Sequence, residues 1–335
     1  MLKIQPLSAK KGEVKFRRKL LEQHLGNKKN FSQEPDQKEI LEILQDRVIE
    51  TRNTFKHLEK LGFKLSPFLE IGAEKGQRSA VLVNNFDARG YAADISLESL
   101  SSSNKFSEAL KFTSLPHLVC CDAYNLPFAD NSFPLVFCFE TLHHFPDPAP
   151  VIQEIYRVLA PGGIFYFAQE PIKQTLNLPL WRRGTHLTSP EKVLKILGIL
   201  PFVSRIGKTE VKHGILEEEF SWTIWKKALG IFSKIRTEVK PVFFGPESIL
   251  TKQNQRWKGP GFITKSLIAL EGGGIRGYGQ KDGSPDNVHQ KPVMVCPDCK
   301  SKIVNNSCPK CQRKFKKRNG VLMLLPSKLE KILYE

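Results

Sequence analysis

The sequence contains no long hydrophobic run: its apolar stretches, such as Phe133 to Phe139, are far too short to span a bilayer. The N-terminus has no apolar core followed by a small-residue cleavage site, so it does not read as a secretory leader. Glu13 and the lysine-rich make-up argue against a mitochondrial presequence, and a cytoplasmic protein is expected. Cysteine is scarce and odd in number, seven in 335 residues, which argues against a disulfide framework. The glycines after the first apolar strand do not form G-x-G-x-x-G, which excludes the NAD-type fingerprint.

What is present describes a globular chain: 40% hydrophobic and 10% aromatic residues, long enough for an α/β domain and a second, smaller unit. The net charge of +17 is uneven. Residues 1–30 carry +7, 31–173 carry −6, 174–295 carry +9 and 296–335 carry +7. Basic flanks around an acidic middle suit RNA, anionic lipid headgroups or an anionic, phosphorylated substrate, or simply keep the chain soluble.

Residues 1–35 read as a basic N-terminal arm. Apolar residues then recur at helical spacing from Asp36 to Leu61 (Ile40, Leu41, Leu44, Val48, Phe55, Leu58), with Gly62 as the stop. Short apolar strands are predicted at Phe68–Ile71, Tyr91–Ile95, His117–Cys121, Phe133–Phe139 and Ile164–Ala168. Helices alternate with them: one to Asn85, one from Leu97 to about Phe112, and one over Pro148–Leu159 before a Pro161-Gly162-Gly163 turn. That rhythm predicts a Rossmann-like, doubly wound, mostly parallel α/β sheet. Beyond Pro171 the rhythm breaks. A helix is expected from Ser189 to about Leu200, another over Glu217–Ile235, a late strand at Ile263–Leu270 and a turn-rich linker afterwards.

Chemistry gathers at the carboxyl ends of the first strands. Gly72 lets the backbone leave strand one sharply, and Gly76 opens the following helix, whose N–H groups favour a negative group. Asp94 closes strand two, where a carboxylate can accept from both hydroxyls of a ribose, and Asp122-Ala123 closes strand three. The series Glu70/Gly72, Asp94, Asp122, Leu126-Pro127-Phe128, Leu142-His143-His144-Phe145 and Arg157 to Gly163 resembles the class I S-adenosylmethionine-dependent methyltransferases. It is most similar to their ubiquinone/menaquinone-biosynthesis-like branch, over about residues 66–170.

The resemblance implies that Glu70, Gly72 and Gly76 surround the methionine end of S-adenosyl-L-methionine. It implies that Asp94 holds the ribose, and that Asp122 with the Ala123 backbone faces the adenine. Two positions depart from the family pattern. Glu74 replaces a second glycine, so its side chain is expected to point away from the cofactor; Pro134 replaces an Asp, at a strand start that tolerates it. His143 and His144, in the loop after strand four with Glu140, are candidate general bases where an acceptor must lose a proton.

The run Gly272-Gly273-Gly274-Ile275-Arg276-Gly277 mimics the oxyanion loop of patatin-like lipases, but no G-x-S-x-G elbow accompanies it. A turn between two late strands is expected there. The four remaining cysteines form Cys296-Pro-Asp-Cys299 and Cys308-Pro-Lys-Cys311, two knuckles that can complete a tetrahedral four-thiolate site for structural Zn2+. With the sequence that follows, this end resembles the small zinc-ribbon proteins that partner tRNA and protein methyltransferases.

The expected organisation is an arm at 1–35 and a methyltransferase domain at 36–280, with its cofactor core at 66–170 and a substrate-side insertion and late strands at 171–280. A linker at 281–292 and a zinc ribbon at 293–335 complete it. The expected activity is methyl transfer to an acceptor that is a small metabolite, lipid or saccharide intermediate rather than RNA. The alternative is a non-catalytic scaffold or a zinc-ribbon nucleic-acid binder on a degenerate fold, which Glu74 and Pro134 would favour.

Overall fold

In the computed structural model the described residues are 3–25, 37–172, 218–241, 273–284 and 292–335, with further positions among 193–199, 214–216 and 262–266. Five parallel strands form the middle: β1 (Phe68–Ile71), β2 (Gly90–Asp94), β3 (His117–Cys120), β4 (Phe133–Phe139) and β5 (Leu159–Ile172). β6 (Lys234–Pro241) and β7 (Gly273–Gln280) extend the β5 edge antiparallel. β8 (Lys317–Arg318) and β9 (Val321–Met323) extend the other, where β9 runs parallel to β3. Among the described residues the sheet order is β6-β7-β5-β4-β1-β2-β3-β9-β8. The order reverses at β1, flanked by β2 and β4, and this switch opens a crevice at the carboxyl ends of the strands. The architecture is the Rossmann-like α/β fold expected from the alternating pattern.

Eight α-helices are described: α1 (Leu7–His24), α2 (Gln37–Lys60), α3 (Gln77–Asn85), α4 (Leu97–Ser101), α5 (Ser103–Ala109), α6 (Ala149–Val158), α7 (Trp222–Leu229) and α8 (Ser327–Tyr334). Every residue of β1 and β4 is buried, which is why these strands read as apolar runs, interrupted in β1 only by Glu70. One sheet face packs Leu69, Ile71, Val136 and Cys138 with Val151, Ile152 and Ile155 of α6 and Trp225 of α7. The opposite face packs Phe68, Leu135 and Phe137 under Phe55 and Leu58 of α2, with the Phe55 and Phe137 rings 4.9 Å apart, edge to face.

Several local expectations are corrected. The Pro161-Gly162-Gly163 segment is a bulge inside β5 rather than a turn before it: Phe133 pairs with Leu159 and Leu135 with Ile164. The helix expected from Leu97 to Phe112 is two short helices meeting at Ser102. The helix expected over Glu217–Ile235 is α7 alone, and β6 begins at Lys234. Phe262 and Ile263 are helical rather than extended, with most of that predicted strand outside the described residues. The beginning of the helix expected from Ser189 also lies outside them, although Val193, Leu194 and Ile196 are helical.

The late strand is instead the glycine-rich run. Residues Gly273–Gln280 form β7 between β5 and β6. A Cβ on Gly277 would lie 2.1 Å from the Arg236 carbonyl oxygen, and one on Gly279 would meet the Phe232 ring at 2.5 Å. The glycines are there because neighbouring groups approach too closely for a side chain.

Candidate functional site

The crevice is built from the loops that follow β1 to β4. β1 delivers Glu70, which is buried, and its Oε2 accepts from the Ser79 N–H at 3.0 Å and the Ser79 hydroxyl at 2.5 Å. This carboxylate ties the strand end to the first turns of α3. Burial pushes the Glu70 carboxyl up to about 7, against the Ser79 hydrogen bonds and Arg78.

Gly72 follows with φ +67°, and a Cβ there would lie 2.3 Å from Thr141 Oγ1. Both the left-handed backbone and the neighbouring β4 loop therefore require glycine. Gly76, with φ +68°, is the N-cap of α3.

Glu74 also takes a left-handed conformation, φ +51°, in the place where the family pattern has glycine. Its N–H donates to Asp94 Oδ2 at 2.8 Å. Its side chain pairs with Lys75 and lies 3.6 Å from both Arg17 and Arg47. Burial alone would raise the Glu74 carboxyl, but Lys75, Arg17 and Arg47 outweigh it and hold it well below the usual range.

β2 ends at Asp94. Its Oδ2 takes the Glu74 N–H and its Oδ1 takes the Ser96 N–H at 2.8 Å. Burial raises its pKa, opposed by the Ser96 N–H and Arg17. Each carboxylate oxygen has a second lone pair, so two backbone donors leave acceptor capacity for two hydroxyls. Beyond β3, Asp122 Oδ1 accepts from the Tyr124 N–H at 3.1 Å while its Oδ2 forms an ion pair with Lys10, and Ala123 lies between.

Lys10 belongs to α1, which together with Gln5 just before it reaches the segments after β1, β2, β3 and β4. Gln5 N–H, just before α1, donates to the Tyr124 hydroxyl at 2.9 Å, and its amide reaches the His144 carbonyl at 3.1 Å. Arg17 reaches Glu74, and Arg18 pairs with Glu98 at 2.5 Å. Reading charge alone missed Lys10 and Arg17 as parts of the site. The signal was the buried set Ala9, Phe16 and Leu20, seven and four residues apart and so on one helix face.

β4 leads to Glu140, which pairs with Arg47 of α2 at 2.8 Å. The buried Glu170 carboxylate organises the following turn. It accepts from the N–H groups of Thr141 (2.8 Å), Leu142 (2.9 Å) and His143 (3.1 Å), and lies 2.9 Å from His143 Nδ1. Burial would raise this carboxyl, but His143 and the backbone donors win and lower it. His144 Nδ1 lies 3.0 Å from the Leu216 carbonyl. Nδ1 of each imidazole is thus engaged in holding a loop.

The four C-terminal cysteines converge, with all four Sγ atoms within 4.8 Å of one another. Cys296 and Cys311 are 3.6 Å apart, and Cys299 and Cys308 3.4 Å. Zinc bound to four thiolates at about 2.3 Å needs sulfur pairs about 3.8 Å apart, so the donor set and its size fit. Lys300 and Gln312, each directly after a knuckle, have φ +60° and +59° and close the two turns. This segment docks on the β3–β4 connection. Ala129 N–H bonds the Val293 carbonyl at 2.9 Å, Val295 N–H the Pro127 carbonyl at 3.0 Å, and the Asn125 amide the Pro297 carbonyl at 2.8 Å.

Residues 69–167 match a family described as a methyltransferase domain. Among curated relatives, the chain is 33% identical over 101 residues to malonyl-acyl-carrier-protein O-methyltransferase of Marinomonas sp. (strain MWYL1), covering 30% of this chain and 36% of that protein. It is 30% identical over 100 residues to the chloroplastic tocopherol O-methyltransferase of Arabidopsis thaliana, covering 30% of this chain and 29% of the relative. The chain thus spans about a third of the length of these relatives. Among solved structures, the arsenic(III) S-adenosylmethionine methyltransferase CrArsM of Chlamydomonas reinhardtii is similar at 16% identity and a TM-score of 0.40, covering 67% of this chain and 65% of that one. The matched segment contains the ends of β1 to β4 with Glu70, Gly72, Gly76, Asp94, Asp122, Ala123, His143 and His144, and it is this part of the chain that is similar to a methyltransferase domain.

Proposed function

We propose that the whole chain is an S-adenosylmethionine-dependent methyltransferase acting on a small metabolite, lipid or saccharide intermediate, with a structural zinc ion on Cys296, Cys299, Cys308 and Cys311. The observation that carries the reading is the placement of two acidic residues, Asp94 and Asp122, where consecutive parallel strands end, beside the obligatory glycine turn at Gly72.

Glu70, Gly72 and Gly76 would border the methionine end, Asp94 would hold the ribose hydroxyls, and Asp122 with the Ala123 backbone would face the adenine. The bound cofactor supplies an electrophilic methyl on a sulfonium. The protein's part is positioning and exclusion of water. α1 covers the crevice, with Lys10 and Arg17 reaching the adenine-side and methionine-side loops respectively. Glu170 fixes the turn of His143 and His144, so that these imidazoles would shape the acceptor side, and either would serve as the base where the acceptor must lose a proton.

The acceptor class is supported by the relatives' names, which specify a carrier-bound malonyl group and a tocopherol. The test incubates the chain with methyl-labelled cofactor and separate metabolite, lipid and RNA extracts. Label in the metabolite or lipid fraction supports the reading. Label confined to RNA would replace the acceptor class, and the basic flanks would then explain the choice.

A further inference from the structure

The last helix of the chain ends against the loop that carries Asp94. The Tyr334 hydroxyl donates to the Ile95 carbonyl at 2.6 Å and accepts from the Leu97 N–H at 2.9 Å. These two groups bracket Ser96, whose own N–H donates to Asp94 Oδ1 and whose hydroxyl caps α4 by accepting from the Ser99 N–H at 3.2 Å. One phenol therefore holds the Ile95–Ser96 peptide, whose N–H orients the carboxylate, by its carbonyl, and the following Ser96–Leu97 peptide by its N–H. Burial raises the Tyr334 pKa, so the hydroxyl stays neutral and can donate and accept together. Its neighbours Leu329 and Leu333 pack with it on Leu97, Leu100, Cys120 and Met323.

The other end of α8 is anchored on the cysteine segment. Asp298, inside the first knuckle, accepts from the Ser327 N–H at 2.9 Å and its hydroxyl at 2.6 Å, at the first residue of the helix. Arg313, two residues beyond the second knuckle, bonds both Asp298 (2.5 Å) and Glu330 of α8 (2.6 Å). Eight helical residues make a rod of about 12 Å. It joins the four-cysteine cluster at one end to the Asp94 loop at the other.

We propose that Tyr334 is a positioning residue for cofactor binding. Through Ile95 and Leu97 it sets the orientation of the Asp94 carboxylate, and through α8 it makes that orientation depend on the four-cysteine segment. The proposal rests on the reading of Asp94 as the ribose ligand.

The test is calorimetric titration of the full zinc-loaded chain with S-adenosylhomocysteine and its 2′-deoxy analogue. Tyr334→Phe keeps the ring and removes both hydrogen bonds, and is expected to weaken binding by about five- to tenfold. It should also reduce discrimination against the deoxy analogue while zinc content stays at the wild-type level. On an Asp94→Ala background it should add almost nothing, because the two changes act through one contact. Ser327→Ala, at the far end of the helix, should weaken binding by about two- to threefold. Wild-type affinity in Tyr334→Phe, or a full loss that persists on the Asp94→Ala background, would overturn the proposal. Wild-type affinity in Ser327→Ala would overturn its link to the cysteine segment. If Asp94→Ala itself binds like the wild type, the ribose reading fails along with it, which separates the two failures.

Discussion

Lys10 and Asp122 are 112 residues apart in sequence, yet they form an ion pair in which each side chain is only 9% exposed. The pair joins the N-terminal helix to the loop at the end of β3. Breaking one partner leaves the other charge buried, which is costly. Lys10→Met is expected to lower stability by about 3 kcal/mol. The double variant Lys10→Met/Asp122→Asn should recover most of that loss in urea unfolding. A single-variant effect below about 0.5 kcal/mol would show that α1 contributes nothing through this contact.

Glu70 predicts a pH dependence. Its carboxyl is raised from 4.5 to about 7 in the fold, so between those values the native state keeps a proton that the unfolded chain has released. Its contribution is fully present below pH 4.5 and is lost as pH rises through 7, amounting to about 3 kcal/mol. Glu70→Gln stays neutral and can still accept from Ser79. Wild-type protein should lose stability relative to this variant between pH 5 and 7.5; parallel curves would contradict the assignment.

Gly72 and Gly62 make an internal comparison. Both have positive φ, +67° and +86°, but a Cβ at Gly62 meets nothing within 4 Å whereas one at Gly72 strikes Thr141. Gly62→Ala should cost about 1 kcal/mol from backbone strain alone. Gly72→Ala should cost at least twice that and also abolish cofactor binding. Equal melting shifts would show that Thr141 gives way freely.

The cysteine cluster predicts one zinc per chain by elemental analysis. Chelation should release β9 from β3, since only residues 312–320, with β8 among them, separate the strand from Cys311. Hydrogen exchange at Val321, Leu322 and Met323 should then accelerate. Metal-free protein with unchanged protection would contradict a structural role.

The parallel core was legible because strands buried on both faces are almost wholly apolar, as Phe133–Phe139 is and as Phe68–Ile71 is apart from Glu70. Glu70, Gly72, Asp94 and Asp122 were legible because each stands where such a run stops. β7 was not, since glycine ordinarily marks a turn, and here it answers the approach of Arg236 and Phe232 from outside the segment. β6 alternates Ile235, Thr237 and Val239 with charged residues, a period-two signal obscured by the helical spacing of Trp222, Trp225 and Leu229 just before it. In sequence α1 looks like part of an arm because lysine and arginine usually face water. Lys10 and Arg17 instead find carboxylates on distant loops, a pairing that no local pattern reveals.

The most direct test of the central claim is calorimetric titration of the purified chain with S-adenosylmethionine beside Asp94→Ala. The protein should bind the cofactor, and binding should weaken by about ten- to a hundredfold in the variant, the worth of hydrogen bonds to a charged group. A folded protein that does not bind the cofactor, or a variant that binds as well as the wild type, would contradict it.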